Sequence, residues 1–411
     1  MSQPADRNVA VSRSIRPIVL VYLIEAIAGF SRGSYLVCFG WSVLVFTGDV
    51  AKVGQVFVVS MLTVMLGSHV IGTLVDRARR KYIIMLSHLL IALVMAGVGW
   101  VLVDQQPFDQ RVFFAAAVAI TLGRLAYETA LDATLKQVSS SITLTTSMAR
   151  ARVIHLLCTA AATVLTGWCL NAFKTSVAFY LSAASSVILV AAAVLLPLMA
   201  ITGGRAEKGK SSRDFFEGFR ILRTRPHLVP LILLAGLVLP IGQLSNAILS
   251  SYVRDDLNLG SWEFGVVDSA WPVGGLLAAF ALSVLPSRWI ERFRLSVTTG
   301  LVAIATILLA QTANLYLLAA LHGAMGLFAW MSRILIDARI LQAVPDGLAG
   351  RAKSNVTFAF SAIAIAMCLS PSLIPGLKTG TYFVSWGAAI LVAALLFRLR
   401  QWNRPDWADR A

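Results

Sequence analysis

Glu25 and Arg32 stand seven residues apart in one apolar run, and Arg124, Glu128 and Asp132 follow at successive four-residue intervals in another. Each spacing returns to the same face of a helix. A carboxylate placed this way can take up and release a proton, and a nearby guanidinium can hold an anionic group or keep that carboxylate ionised. Glu25 and Glu128 are therefore candidate proton carriers, with Arg32 and Arg124 as candidate substrate contacts. The plainer alternative is a rigid network in which the four groups neutralise one another. Asp268, in "VVDSAWPVGG", is a third candidate carrier or else an outward gate. Arg333 and Asp337, four apart, read as an ion pair on one helix. Tyr35, Tyr127, Trp271 and Trp330, with Phe30, neighbour these charges and could stack on a flat organic molecule, although such aromatics more often serve packing. His69, His155 and His322 lie on different runs without the spacing of metal ligands, and neither a metal nor another cofactor is expected.

The segments that must position these residues are long and apolar. The chain of 411 residues is 58% hydrophobic and 13% charged. About 20 apolar residues rising about 1.5 Å each cross a hydrocarbon layer of about 30 Å. Apolar runs separated by polar breaks predict helices near 17–46, 53–75, 82–103, 112–134, 148–171, 175–199, 228–251, 263–285, 295–313, 315–340, 354–377 and 381–398. These are twelve spans of an all-α integral membrane protein, and an even number returns both termini to one side. Placing the termini and alternate loops together leaves only Lys52, Arg111, Lys174, Arg254 and Lys378 among the loop cations on the other side. The cation-rich side is then cytoplasmic.

The net charge of +15 is thus read as topology, without a basic module that would point to nucleic acid. Cys38, Cys158, Cys169 and Cys368 all lie within apolar runs without a close pair, which argues against a disulfide framework. The first apolar run is too long for a cleaved signal peptide and is expected to remain as a helix. A charge at the bilayer centre costs at least about 2.5–3.5 kcal/mol. Counting along the fourth helix puts Arg124 about 18 Å from its start, near mid-membrane, and Asp132 at the cytoplasmic edge. Counting from Pro17 puts Arg32 near the middle of the first helix, and two arginines at such depth favour the functional reading over the purely structural one.

The break from 202 to 227 divides the spans into two groups of six. Its second part, "SSRDFFEGFRILRTRP", has the apolar spacing of a surface helix. The predicted organisation is a cytoplasmic segment 1–16, a bundle 17–201, a basic linker 202–227, a second bundle 228–398 and a cytoplasmic tail 399–411. "LDATLKQV" from Leu131 is echoed by "IDARILQAV" from Ile336, and "ARAR" from Ala149 by "GRAK" from Gly350, in corresponding places of the halves. These echoes support a duplication.

Between the second and third spans lies "GTLVDRARRKY", with Gly72, Asp76, Arg77, Arg80 and Lys81. The glycine permits close helix packing, the aspartate sits where a cation or a helix N-terminus can pair with it, and the basic residues fix the loop in the cytoplasm. Such a loop can act as a latch on one conformation, or serve as a topology signal alone. Its pattern, G-x-x-x-D-R-x-x-R-K, resembles the loop signature of the major facilitator superfamily, with Arg79 where a glycine is usual. The later counterpart, "LPSRWIERFR", lacks the aspartate. "FFEGFRILRTRPHLVPLILLAG" from Phe215 resembles the superfamily branch of enterobactin-type siderophore exporters and related drug efflux proteins.

That resemblance covers essentially the whole chain. It implies two pseudo-symmetric six-helix bundles, a central cavity lined by the first and fourth helices of each half, and location in the cell inner membrane as a monomer. The implied function is proton-coupled export of a small amphipathic molecule by alternating access. Its partners are that solute, protons and the bilayer. Helix five, "CTAAATVLTGW", lacks the proline of many antiporters, which keeps proton-coupled import open. A membrane-embedded enzyme is the rival of a different class, and no nucleophile triad, metal cluster or phosphate loop argues for it.

Overall fold

A computed structural model describes residues 5–103, 110–139, 144–197, 228–284, 295–343 and 349–402. Among the described residues the chain is helical, without strands. The helices are α1 (Ala5–Thr47), α2 (Val50–Arg77), α3 (Arg80–Val101), α4 (Arg111–Val138), α5 (Leu144–Ala172) and α6 (Thr175–Val194), then α7 (Leu228–Val238), α8 (Ile241–Ser251), α9 (Ser261–Val284), α10 (Leu295–Leu309), α11 (Leu315–Ala343), α12 (Ala349–Leu373) and α13 (Thr379–Trp402).

Among the described residues eleven segments are long and apolar enough to cross a membrane, and α10, at 15 residues, is a shorter apolar helix. One of the eleven, Leu228–Asp256, joins α7 and α8 to a π-helical turn at Tyr252–Asp256. Pro240 interrupts this span because proline supplies no N–H to the helix ladder. Large apolar side chains such as Leu66, Leu86, Val187, Phe280 and Leu396 are exposed on the helices, as lipid-facing residues must be.

The chain divides into two compact units, one of residues 1–42 and 62–206 and the other of 43–61 and 207–411. The first holds most of α1 and α2 together with α3 to α6; the second holds the α1–α2 turn and α7 to α13. Gly48 makes that turn at φ 64°, a conformation glycine adopts without a Cβ penalty. Asp49 caps the following helix by accepting a 2.8 Å bond from the Ala51 N–H. The turn segment belongs with the second unit through close contacts. A Cβ on Gly54 would run into the Cys368 carbonyl, Gln55 donates to Ser372 Oγ at 3.3 Å, and Arg254 donates to the Leu44 carbonyl at 3.1 Å.

The helix α1 continues upstream of the expected start, with Pro17 inside it. The expected surface helix in 202–227, the degenerate loop "RWIERFR" and residues 403–411 of the tail lie outside the described residues.

Candidate functional site

In the first unit the site is built on a glycine seam. Gly29 and Gly33 are one turn apart on α1. A Cβ on Gly29 would collide with the carbonyl of His155, and one on Gly33 would stand 2.5 Å from that of Thr159. Small residues here let α1 and α5 meet backbone to backbone. Thr159 Oγ1 adds a 3.1 Å bond to the Gly29 carbonyl across the seam. One turn back, His155 Nδ1 and Glu25 Oε2 lie 2.8 Å apart with both side chains largely buried. An imidazole donating to a carboxylate in such surroundings is a strong, charge-assisted bond.

Farther along α1, Arg32 Nη1 lies 3.5 Å from Glu128 Oε1, and Arg124 Nε lies 3.7 Å from the same oxygen. These separations are those of ion pairs rather than hydrogen bonds. The side chains of Arg32, Arg124 and Glu128 are 30%, 21% and 49% exposed. Asp132, one turn beyond Glu128, is exposed. Behind the ion pairs is a cavity of about 30 Å³ that Tyr35, His88, Tyr127 and His155 also line. The rings of His88 and Tyr127 meet edge to face with centroids 4.6 Å apart.

The second unit has its own seam between α9 and α11. A Cβ on Gly274 would run into the Gly323 carbonyl, and one on Gly326 would stand 2.5 Å from the carbonyl of Trp271. Across it, His322 Nδ1 lies 2.8 Å from the Val267 carbonyl, so Nδ1 must be the donor. Nε2 is then free to accept from Ser245 Oγ, also at 2.8 Å. In a neutral ring these two bonds select the tautomer with its proton on Nδ1. Asp268, next to Val267, is 7% exposed and forms no hydrogen bond or ion pair with any described residue.

The aromatic candidates divide by environment. Tyr35 is buried against Phe39, with centroids 4.6 Å apart, and Tyr127 is buried against His88. Trp271 covers Gly242, whose Cβ would lie 2.7 Å from the indole, and tilts against His322. Trp330 covers Gly275 in the same manner, with the Arg333 guanidinium 5.7 Å from its ring centroid. This contact is a cation–aromatic stack within α11.

In the basic loop, Arg80 Nη1 donates to the Ala133 carbonyl at 2.9 Å, and Lys81 Nζ donates to the carbonyls of Val194 and Leu196 at 2.5 and 2.8 Å. Lys81 therefore sits on the C-terminal end of α6, where carbonyls lack partners and the helix dipole favours positive charge, whereas Arg80 reaches a carbonyl inside the last turns of α4. Arg77 is exposed, and the side chain of Asp76 lies outside the described residues. No described residue comes within 4 Å of where a Cβ on Gly72 would stand, so the close packing expected there is not seen among the described residues.

The structure thus brings together Glu25, Arg32, Arg124, Glu128, Tyr35 and Tyr127 in one unit, and Asp268, Trp271 and Trp330 in the other. The sequence reading weighed His155 and His322 only as metal ligands and omitted His88. The spacing Gly29-x-x-x-Gly33, a small-residue packing motif, was the signal that could have pointed to a close partner for α1 and hence to His155.

Residues 21–375 match the family model of the Major Facilitator Superfamily. No curated protein matches the chain significantly. Among solved structures, a point mutant of the nucleoside transporter NupG superposes with a TM-score of 0.78 at 14% identity, covering 93% of this chain and 99% of that one. A POT family transporter in complex with a thioalcohol-conjugated peptide gives 0.71 at 13% identity, covering 93% and 96%. Another, with 5-aminolevulinic acid, gives 0.70 at 13% identity, with the same coverage. At these identities the likeness is one of fold.

Proposed function

The chain belongs to the major facilitator superfamily, and on that premise we propose that it is a proton-coupled secondary transporter of a small organic solute, working by alternating access. The observation that carries the coupling is Asp268, a buried carboxylate without a partner among the described residues. In an apolar interior a lone carboxylate is balanced most simply by a proton. Of the three carboxylates put forward from the sequence, coupling is assigned to Asp268. Glu25 is held by His155, and Glu128 is flanked by Arg32 and Arg124. Those arginines, with Tyr35 and Tyr127, are assigned to solute binding; Trp271 and Trp330 support the second unit's wall.

The proposed direction is export of an amphipathic molecule of the siderophore or drug class, supported by the resemblance of the stretch from Phe215. Uptake is the second reading, favoured by a helix α5 without proline. The cation distribution supports both termini in the cytoplasm, and the resemblance supports an inner-membrane monomer of two bundles of six spans joined by the basic linker, with Asp76 as a latch. Everted and right-side-out vesicles with an imposed pH gradient test this, using labelled catecholate siderophores, nucleosides and dipeptides as probes. The export reading predicts accumulation of a catecholate probe in everted vesicles only, abolished by a protonophore. Accumulation confined to right-side-out vesicles selects uptake. Transport indifferent to the gradient overturns coupling.

A further inference from the structure

The first unit's cavity has donors without acceptors. Neither the Arg32 nor the Arg124 guanidinium forms a hydrogen bond to a described residue, and their shared ion-pair partner is one oxygen of Glu128. His88 and Tyr127, each 3% exposed, line the same space, and neither His88 ring nitrogen nor the Tyr127 hydroxyl has a hydrogen-bond partner there. Buried polar atoms are nearly always satisfied by protein, water or ligand. A guanidinium alone offers five N–H donors.

Two guanidiniums against one carboxylate leave a single positive charge on this wall. The Glu25–His155 pair at its edge is neutral when His155 is protonated and contributes one negative charge when it is not. A cation would face both arginines. The space, about 30 Å³, is an order of magnitude below a pocket for a drug-sized molecule and suits a group the size of one or two waters.

We propose that this cavity binds a small monovalent anion, with Arg32 and Arg124 supplying charge and His88 and Tyr127 supplying the deep hydrogen bonds. The anion is either free chloride or the carboxylate end of a transported solute. The carboxylate source rests on the transport reading; the chloride source does not.

The test is the melting temperature of the purified full-length protein in nanodiscs. Sodium chloride or sodium formate is titrated at constant ionic strength against sodium 2-(N-morpholino)ethanesulfonate, whose anion is too bulky for the cavity. The proposal predicts a saturable rise of a few degrees with a small anion. Tyr127→Phe removes only the hydroxyl and should weaken the apparent affinity about tenfold, roughly the loss of one buried hydrogen bond to a charge. His88→Leu should do the same. A rise with both salts identifies a free-anion site, and one with formate alone identifies carboxylate recognition. No saturable rise in the wild-type protein, or a rise unchanged in both variants, overturns the site. Anion binding without any gradient-driven transport leaves the site standing and removes the transport reading; the converse removes the site alone.

Discussion

Both units bring a histidine across a seam of glycines, and they give it opposite partners. In the first, Gly29 and Gly33 let α5 approach until His155 meets the carboxylate of Glu25. In the second, Gly274 and Gly326 let α11 approach until His322 meets a carbonyl and a hydroxyl, while the carboxylate of Asp268 beside it is left alone. Equivalent packing thus yields a carboxylate paired with a histidine in one unit and a carboxylate without a partner among the described residues in the other. The first arrangement suits holding a charged group, and the second suits exchanging a proton with solvent as the protein changes state.

The largest effect should come from breaking the charged pair. His155→Leu strands Glu25 as a buried carboxylate, which destabilises by about 3–5 kcal/mol when a partner is lost. The double variant Glu25→Gln/His155→Leu should regain part of that loss, read as melting temperature in a double-mutant cycle. Additive effects would mean that the pair is not coupled.

Seam substitutions come next. Gly29→Ala and Gly274→Ala each force a Cβ into a facing carbonyl, and overpacking of this kind costs about 1–3 kcal/mol. The two should lower the melting temperature to a similar degree, whereas Gly72→Ala, with open space around it, should leave it unchanged. A loss at Gly72 equal to that at Gly274 would erase the distinction between seam and loop.

His322→Leu should cost less than His155→Leu, about 1 kcal/mol for neutral hydrogen bonds. Glu128→Gln should also cost less than His155→Leu, since its ion-pair separations of 3.5 and 3.7 Å are longer than the 2.8 Å contact between Glu25 and His155. A large loss at Glu128 would show that the first unit's network is held together by that residue and not by the glycine seam.

The spans were legible because apolar length is a local property. The run predicted at 82–103 is α3 at Arg80–Val101, and that predicted at 112–134 is α4 at Arg111–Val138. The charges at Glu25, Arg32, Arg124 and Glu128 stood out because charge is rare in such runs. The partner of Glu25 did not, because it depends on a contact across the bundle. His155 is 130 residues from Glu25, and the Lys81 bonds reach 113 and 115 residues along the chain. His88 lies in an apolar helix without a charged neighbour, and only the placement of Tyr127 and two arginines around one cavity gives it meaning. Trp271 and Trp330 read as stacking surfaces in the sequence, but each covers a glycine that nothing local identifies as its partner.

The central claim is that Asp268, rather than the paired carboxylates, carries the proton. Infrared difference spectra of the purified protein between acidic and alkaline buffer report protonated carboxyl groups through their carbonyl stretch, without requiring a known substrate. The account predicts a protonation band that Asp268→Asn removes and that Glu128→Gln and Glu25→Gln retain. A band that survives Asp268→Asn and disappears in either glutamine variant would contradict it.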